Sequence, residues 1–401
     1  MSLIHLLFAQ LEKMRAKLRQ QELGVVRRDS FAAYLGTMKS NQDMHIVTRA
    51  IMRHGTNVQK ESDSLGLLLK GVYIFGQGLK ASDPRDFIFG LLNMSADSAN
   101  LGIFADYSKS KHELFVQVAT AFIKQRGLGL FTWSNSQELS KAKPFLPSWA
   151  PDWSAPIIKP LADFGRKSDF RFKTSGDSQP QFNFIGNSDG DPIVVTTGIV
   201  VDIVLAVGDS IMNFPVSDIS WYDNDQDPNF NLALQWLDDI QTLSKHCGNI
   251  YGGLSGVKDA IWRTPISDLE FTPEGKHQRA SKSLEKCYQL CRSGILRAVV
   301  KSTELQQRKD DFTFAARYWK LMATRCSNRR LFTSRRGYLG LGPAVILVGD
   351  IIAVILGLDT PLVLRRAGSD SYRIVGEAYV HGIMDGEAMK GSPSTQAFNI
   401  C

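Results

Sequence analysis

The last third of the chain constrains the fold most. Ile351 to Leu356, Leu362 to Arg366 and Tyr372 to Val380 are apolar or β-rich runs, and the stretches between them, Gly357 to Pro361 and Ala367 to Asp370, are rich in turn formers. Runs this short, bounded by glycine and proline, fit strands better than helices. The pattern predicts an antiparallel β-meander over about residues 329–389. Gln181 to Val207 is also strand-like, with Asn187-Ser188-Asp189-Gly190 as a turn signal inside it. A small barrel that recruits the strands near Val194 to Val207 would remove the open edges that a meander leaves.

The chain ahead of this region reads as helical. Ile4, Leu7, Leu11, Met14 and Leu18 recur every three or four residues, one face of an amphipathic helix. Arg15, Lys17, Arg19, Arg27 and Arg28 make this end basic, and Asn41 to Asp63 is a polar connection. Asp83-Pro84-Arg85-Asp86 is a helix start: Asp83 caps free N–H groups, and Pro84 gives up no hydrogen bond at the first helical position. Ser110 and Glu113 form a capping box ahead of Leu114, Phe115, Val118, Phe122 and Ile123. Pro144, Pro147, Pro151, Pro156 and Pro160 then forbid regular structure, and Trp149 and Trp153 anchor an extended strap to the core. Asp227-Pro228 opens another helix, and Arg279 to Cys326 is helical with a break near Asp310.

These patterns predict an α+β protein: a helical N-terminal half, then a mixed α/β region ending in the antiparallel β-meander or small barrel. The boundaries expected are a helical extension at 1–65, a helical segment at 66–135, the Pro/Trp strap at 136–180 and an α+β body at 181–401.

Composition limits the function classes. Of 401 residues, 43% are hydrophobic and 22% charged, which is ordinary for a globular protein and excludes disorder as the main state. The net charge of +7 is a modest basic excess on a solvated surface. Five cysteines (Cys247, Cys287, Cys291, Cys326 and Cys401) are odd in number and irregularly spaced, which favours a reducing, cytoplasmic compartment over a disulfide framework. The start, Met1 to Ala9, lacks the basic region of a signal peptide. Ala344 to Leu358, the most apolar run, is shorter than the roughly 20 residues of a membrane helix, so no membrane partner is expected.

Four groups of residues invite a chemical reading. His381, Asp385 and Glu387 offer an imidazole and two carboxylates, the donors of a metal-dependent or hydrolase-like enzyme. At the end of a meander, with Gly382 and Gly386 marking tight turns, His381 and Glu387 read better as side chains that hydrogen-bond backbone at strand ends. His246, Cys247, Cys287 and Cys291 could ligate zinc, but no Cys-x-x-Cys knuckle is present and cysteine is commonly a small core residue. Gly337-Tyr338-Leu339-Gly340-Leu341-Gly342-Pro343 is glycine-rich, yet Pro343 and a strand-like run follow where a phosphate cradle needs a helix. Arg325, Arg329, Arg330, Arg335 and Arg336, near Tyr318, Trp319, Phe332 and Tyr338, suggest single-stranded nucleic acid, although the aromatics fit core positions as well. No nucleophile elbow is present, and no cofactor is expected.

Four stretches together resemble the fungal heterokaryon-incompatibility (HET) family. They are Ala81 to Leu92 with Asp106-Tyr107-Ser108-Lys109-Ser110; Leu146-Pro147-Ser148-Trp149-Ala150-Pro151-Asp152-Trp153-Ser154; Asp259-Ala260-Ile261-Trp262-Arg263-Thr264; and Arg329 to Glu387, with Gly337 to Pro343, Gly349-Asp350, Pro361 to Arg365 and Gly376 to Glu387. The resemblance covers roughly Gly66 to Met389. It marks Asp83, Pro84, Arg85, Asp86, Trp149, Trp153, Gly337, Tyr338, Gly340, Gly342, Asp350 and Gly382 as motif residues with structural roles. It implies a non-enzymatic regulatory or recognition body linked to nonself recognition and programmed cell death. The partner implied is a protein, either the family's TIR-like signalling head or another incompatibility factor. The head's Ser-Tyr-x-Trp-Gly and Ile-Asn-Gln motifs are not found between Met1 and Lys80, so a truncated gene product, a decayed and inactive member or a stand-alone body is expected.

Overall fold

The structure is a computed structural model and describes residues 64–66, 68–70, 81–92, 95–133, 146–155, 157–161, 172–186, 190–209, 228–273, 276–293 and 305–401. The expected helix at Ile4 to Leu18, the basic and polar stretches up to Asp63 and the Asn187-Ser188-Asp189 turn lie outside the described residues. The chain divides into two compact units, one of Met1–Arg126 with Ala150–Ile157 and one of Gly127–Trp149 with Ile158–Cys401. The strap is therefore shared out, with Trp149 in the second unit and Trp153 in the first.

In the first unit, helix α1 (Asp86–Leu92) buries Phe87, Ile88, Phe89, Leu91 and Leu92. Helix α2 (Lys111–Arg126) buries Leu114, Phe115, Val118, Ala119, Phe122 and Ile123. Its capping box is reciprocal: Ser110 N–H donates to Glu113 Oε2 at 2.8 Å, and Glu113 N–H donates to Ser110 Oγ at 3.2 Å. Trp153 is fully buried and meets Phe115 edge-on, with ring centroids 5.2 Å apart.

The second unit is built around one long strand, β2 (Ile193–Val207), with β1 (Phe182–Ile185) paired to its start. Between β2 and the next strand of the sheet lie α3 (Pro228–Ser244), α4 (Leu254–Arg263), the hairpin β3 (Leu269–Phe271) and β4 (His277–Arg279), α5 (Ser283–Arg292) and α6 (Leu305–Cys326). They bury Trp236, Trp262, Tyr288, Tyr318 and Trp319 in one core. The expected break near Asp310 is not there. Helix α6 runs through it, because polar residues can interrupt an apolar stripe without breaking the backbone; residues 294–304 lie outside the described residues.

The remaining strands are β5 (Arg329–Ser334), β6 (Leu339–Pro343), β7 (Ile351–Ile355), β8 (Leu362–Arg366), β9 (Ser371–Glu377), β10 (Tyr379–Val380) and β11 (Gln396–Ile400). β7, β8 and β9 form the antiparallel meander. β7 pairs with β2, β2 with β11, and β11 with β9, so five strands close into a ring. Ile199, Val204, Ile352, Val354, Val363 and Val375 belong to a second core cluster built on these strands. Past Val204, β2 leaves the ring and pairs with β5, which extends the sheet to β6 and β10.

Two details correct the purely antiparallel expectation. β11 runs parallel to β9. The run Tyr372 to Val380 is two strands, because Ala378 N–H turns aside to Pro361 O and β10 joins β6 instead of continuing the meander. The chain thus re-enters the ring in the same direction as β9, and closure is mixed. Among the described residues no helix is long and apolar enough to cross a membrane.

Candidate functional site

The structure brings two of the sequence motifs together. Helix α4 supplies Asp259, Trp262 and Arg263, and the end of the sheet supplies Tyr379, His381 and Asp385. Between them lie Ser267 and Asp268, consecutive non-glycine residues with left-handed φ values of 53° and 52°. Such residues persist only where surrounding contacts hold them. Here Asp268 N–H donates to Arg263 O at 2.8 Å, and the Asp268 carboxylate binds both Arg263 and Arg279. Arg279 also pairs with Asp385, and its guanidinium lies 4.9 Å from the Phe172 ring centre. The result is an alternating ladder, Arg263–Asp268–Arg279–Asp385, that ties α4 and the β3–β4 hairpin to the turn after β10. Burial raises the Asp268 carboxyl, and Arg263 and Arg279 oppose that rise.

His381 sits beside this ladder. Its Nδ1 is 2.8 Å from the Tyr379 hydroxyl, and the Tyr251 ring meets it edge-on at 5.2 Å. Tyr251 accepts the Leu339 N–H at 2.7 Å and donates to His381 O at 3.3 Å. Burial pushes His381 down to about 4, and the positive fields of Arg263 and Arg279 add to the drop. Burial also pushes the Tyr379 phenol well up. At neutral pH the phenol therefore keeps its proton, and the imidazole is uncharged.

His381, Asp385 and Glu387 thus have separate partners. His381 bonds Tyr379, Asp385 bonds Arg279, and Glu387 Oε2 accepts the Asp385 N–H at 2.8 Å. Among the described residues no group of three or more His, Cys, Asp or Glu side chains is placed to hold a metal ion. The thiols of the zinc candidates Cys287 and Cys291 donate to backbone carbonyls, Ser283 O at 3.6 Å and Ala315 O at 3.1 Å. Both, with Cys247, lie in the helical core.

The glycine-rich segment serves close packing. A Cβ on Gly340 would overlap the Phe332 ring, and one on Gly342 would crowd Ile346 Cδ1 at 2.9 Å. Gly337 has φ 96° and lies against the Cys247 backbone. Tyr338 N–H donates to Ser334 Oγ at 2.9 Å, closing the β5–β6 turn. Gly382, with φ 89°, turns the chain after His381.

The arginine cluster does not form one face. Arg325 and Arg329 are buried, Arg330 Nε donates to Gly208 O, and only Arg335 and Arg336 of the five are exposed. Asp350, also buried, receives Arg365 through Nε and Nη2, both at 2.8 Å. In the first unit Asp83 accepts Arg85, and Arg85 Nη1 donates to Tyr107 O and Lys109 O, each at 2.8 Å. Tyr107 in turn donates to Asp86 at 2.5 Å. The Asp-Pro-Arg-Asp and Asp-Tyr-Ser-Lys-Ser pieces are thus two halves of one clamp.

Sequence reasoning missed the most deeply placed ion pair. Arg329 and Glu377 are each only 3% exposed as side chains and meet at 3.0 Å. Glu377 also accepts the Leu161 N–H and, at 3.1 Å, the Thr360 hydroxyl. Arg329 donates to Lys159 O at 2.9 Å and to Glu377 O at 3.3 Å. Burial raises the Glu377 carboxyl, which Arg329 and the other donors hold against. The available signal was weak: each is a charge at a strand end, but β5 also carries Arg330 and β9 Arg373, so neither charge stands out in the sequence.

Residues 192–398 match the family of the Het-6 β-barrel domain, a span that begins at β2 and ends within β11. The chain is also 24% identical over 349 residues to heterokaryon incompatibility protein 6, OR allele, of Neurospora crassa. That similarity covers 76% of this chain and 49% of the relative, so the chain spans about half the relative's length. No solved structure matches.

Proposed function

We propose, from the premise that this chain belongs to the family of the Het-6 β-barrel domain, that it is a non-enzymatic recognition body of the heterokaryon-incompatibility kind. One observation carries the non-enzymatic part. The best catalytic-looking residues, His381, Asp385 and Glu387, have separate internal partners, His381 and Glu387 within the β10 corner itself and Asp385 on Arg279 of β4. A catalytic group needs side chains aimed at a shared reacting centre. The name of the Neurospora relative supports the link to incompatibility, and nonself recognition with programmed cell death is the process in which this body would act. In this reading it works in the cytoplasm by docking a protein, such as a signalling head or another incompatibility factor.

The test is association. The purified 401-residue chain is mixed with the half of the Neurospora protein that this chain does not match, and complex formation is followed by light scattering and calorimetry. A specific complex with a Kd of about 10 μM or tighter is expected. A chain that stays monomeric and unbound at that concentration refutes the docking. Elemental analysis addresses the rest: stoichiometric metal that chelators remove with a loss of activity or fold would replace this reading with an enzymatic one.

A further inference from the structure

We infer that the corner where β2 leaves the ring is a docking surface for an anionic lipid membrane. Two turns straddle β2 at this point. On one flank Arg335 N–H donates to Ile203 O at 2.9 Å, and Arg336 N–H donates to Asp202 Oδ2 at 2.8 Å. On the other flank Gly349 N–H donates to Val204 O at 3.0 Å, and Val204 N–H donates to Asp350 O at 2.8 Å. With one strand between them, the turns are about 10 Å apart. β2 is irregular between Val204 and Ala206, and this presents Leu205 outward while Val204 is buried.

The side chains at this corner share one chemistry. Leu347 is 50% exposed, Val348 63% and Leu205 39%. Two neighbouring aliphatic side chains both exposed at a turn form a protruding tip, not a groove. Arg335 and Arg336 are exposed, and among the described residues neither guanidinium meets a carboxylate. Of the acids closest in the hydrogen-bond pattern, Asp350 is buried and paired with Arg365, while Asp202 accepts only the neutral Ile203 and Arg336 N–H groups and offsets part of the charge of the two arginines. The tip therefore combines apolar points with a net positive charge, two guanidinium groups against the one Asp202 carboxylate, on a chain of net charge +7.

Charge complementarity selects an anionic occupant, and the aliphatic tip selects one with an apolar interior. A lipid surface offers both, phosphate and carboxylate headgroups above acyl chains, and it receives a protruding tip without a matching groove. Nucleic acid fits less well, because it stacks on open aromatic faces, whereas the exposed apolar side chains here are aliphatic and the half-buried Tyr338 ring already has the Arg336 guanidinium 5.7 Å from its centre. The contact is peripheral and requires no spanning helix. It rests on this corner alone and stands or falls independently of the recognition reading.

The experiment is sedimentation of the full chain with vesicles of phosphatidylcholine alone or with about one third phosphatidylserine. Binding to the serine-containing vesicles only, weakened by salt, is expected. Arg335→Glu with Arg336→Glu should weaken it by at least about tenfold, since each basic residue near such a surface contributes several-fold. Leu347→Ser with Val348→Ser should weaken it as well, and its exposed positions leave the fold intact by circular dichroism. Lys245→Glu with Lys390→Glu, exposed charges elsewhere, matches the charge change and should leave most of the binding. Equal binding to both vesicles, binding to neither, or equal loss in the matched control would overturn the proposal. Retention on immobilised polyglutamate but not on vesicles would also overturn it, in favour of an acidic protein.

Discussion

Replacing Glu377 by Gln tests how the second unit is held together. The side chain keeps its shape but loses its charge, leaving the Arg329 guanidinium buried without a counter-ion. Removing one partner of a buried pair costs about 3–5 kcal/mol, mostly as the penalty of the stranded charge. The upper half of that range applies here. Glu377 also receives the Leu161 N–H and the Thr360 hydroxyl, and Arg329 is 3% exposed. The assay is urea unfolding followed by tryptophan fluorescence, since Trp236, Trp262 and Trp319 are buried in this unit. With a slope of about 2 kcal/mol per molar urea, the midpoint should fall by roughly 2 M. Arg329→Met combined with Glu377→Gln should recover part of the loss, because no buried charge then remains unpaired. A loss below about 1 kcal/mol for Glu377→Gln, or a double variant weaker than both singles, would refute the reasoning.

Other expectations follow from single contacts. His381 is held near 4 against an ordinary 6.5, so its neutral form is the folded one; its contribution is complete above pH 6.5 and is lost as pH falls from 6.5 towards 4. The loss is at most about 3 kcal/mol. Unfolding titrations of wild type and His381→Gln should diverge over that window, and parallel curves would sink the assignment. Gly340→Ala drives a methyl into the Phe332 ring and should destabilise the second unit by about 1–3 kcal/mol, partly recovered by Phe332→Leu, as read by thermal melts. Arg85→Lys loses the forked contact to Asp83, Tyr107 O and Lys109 O. Faster amide exchange confined to residues 106–110 is expected, and unchanged exchange there would argue against the clamp.

The meander and the barrel were readable because their signals are local. A glycine or proline bounds each of the runs at Ile351, Leu362 and Tyr372, and the density of β-branched residues in Ile193–Val207 marks a strand. The capping box at Ser110 and Glu113 was readable for the same reason: both partners lie within one turn. The parallel pairing of β11 with β9 was not, since it depends on where residues 381–395 carry the chain before it returns. Arg329 and Glu377 are 48 residues apart, and nothing local in either says that the other will neutralise it.

The same distinction explains why His381, Asp385 and Glu387 look catalytic as a string. Read along the chain, they are one cluster within seven residues. In space their neighbours come from the insertion between β2 and β5, where Arg263 pairs with Asp268 and Arg279 with both Asp268 and Asp385. Those arginines lie more than 100 residues upstream, as the 106-residue separation of Arg279 and Asp385 illustrates. In the proposed reading the ladder Arg263–Asp268–Arg279–Asp385 makes this catalytic-looking string a fastening. It also accounts physically for the weakest of the four family-like stretches, Asp259 to Thr264. Helix α4 supplies the first arginine of the ladder and, through Arg263 O, holds Asp268 in its left-handed conformation. If that is why the stretch has its form, Arg263→Gln, which keeps the carbonyl but removes the guanidinium's hold on the Asp268 carboxylate and Ala280 O, should loosen both the Asp268 backbone and, through Arg279, the His381 corner. Exchange rates at residues 267–269 and 381–385 should then rise together, whereas a rise at one site alone would mean that the two are not coupled through Arg263.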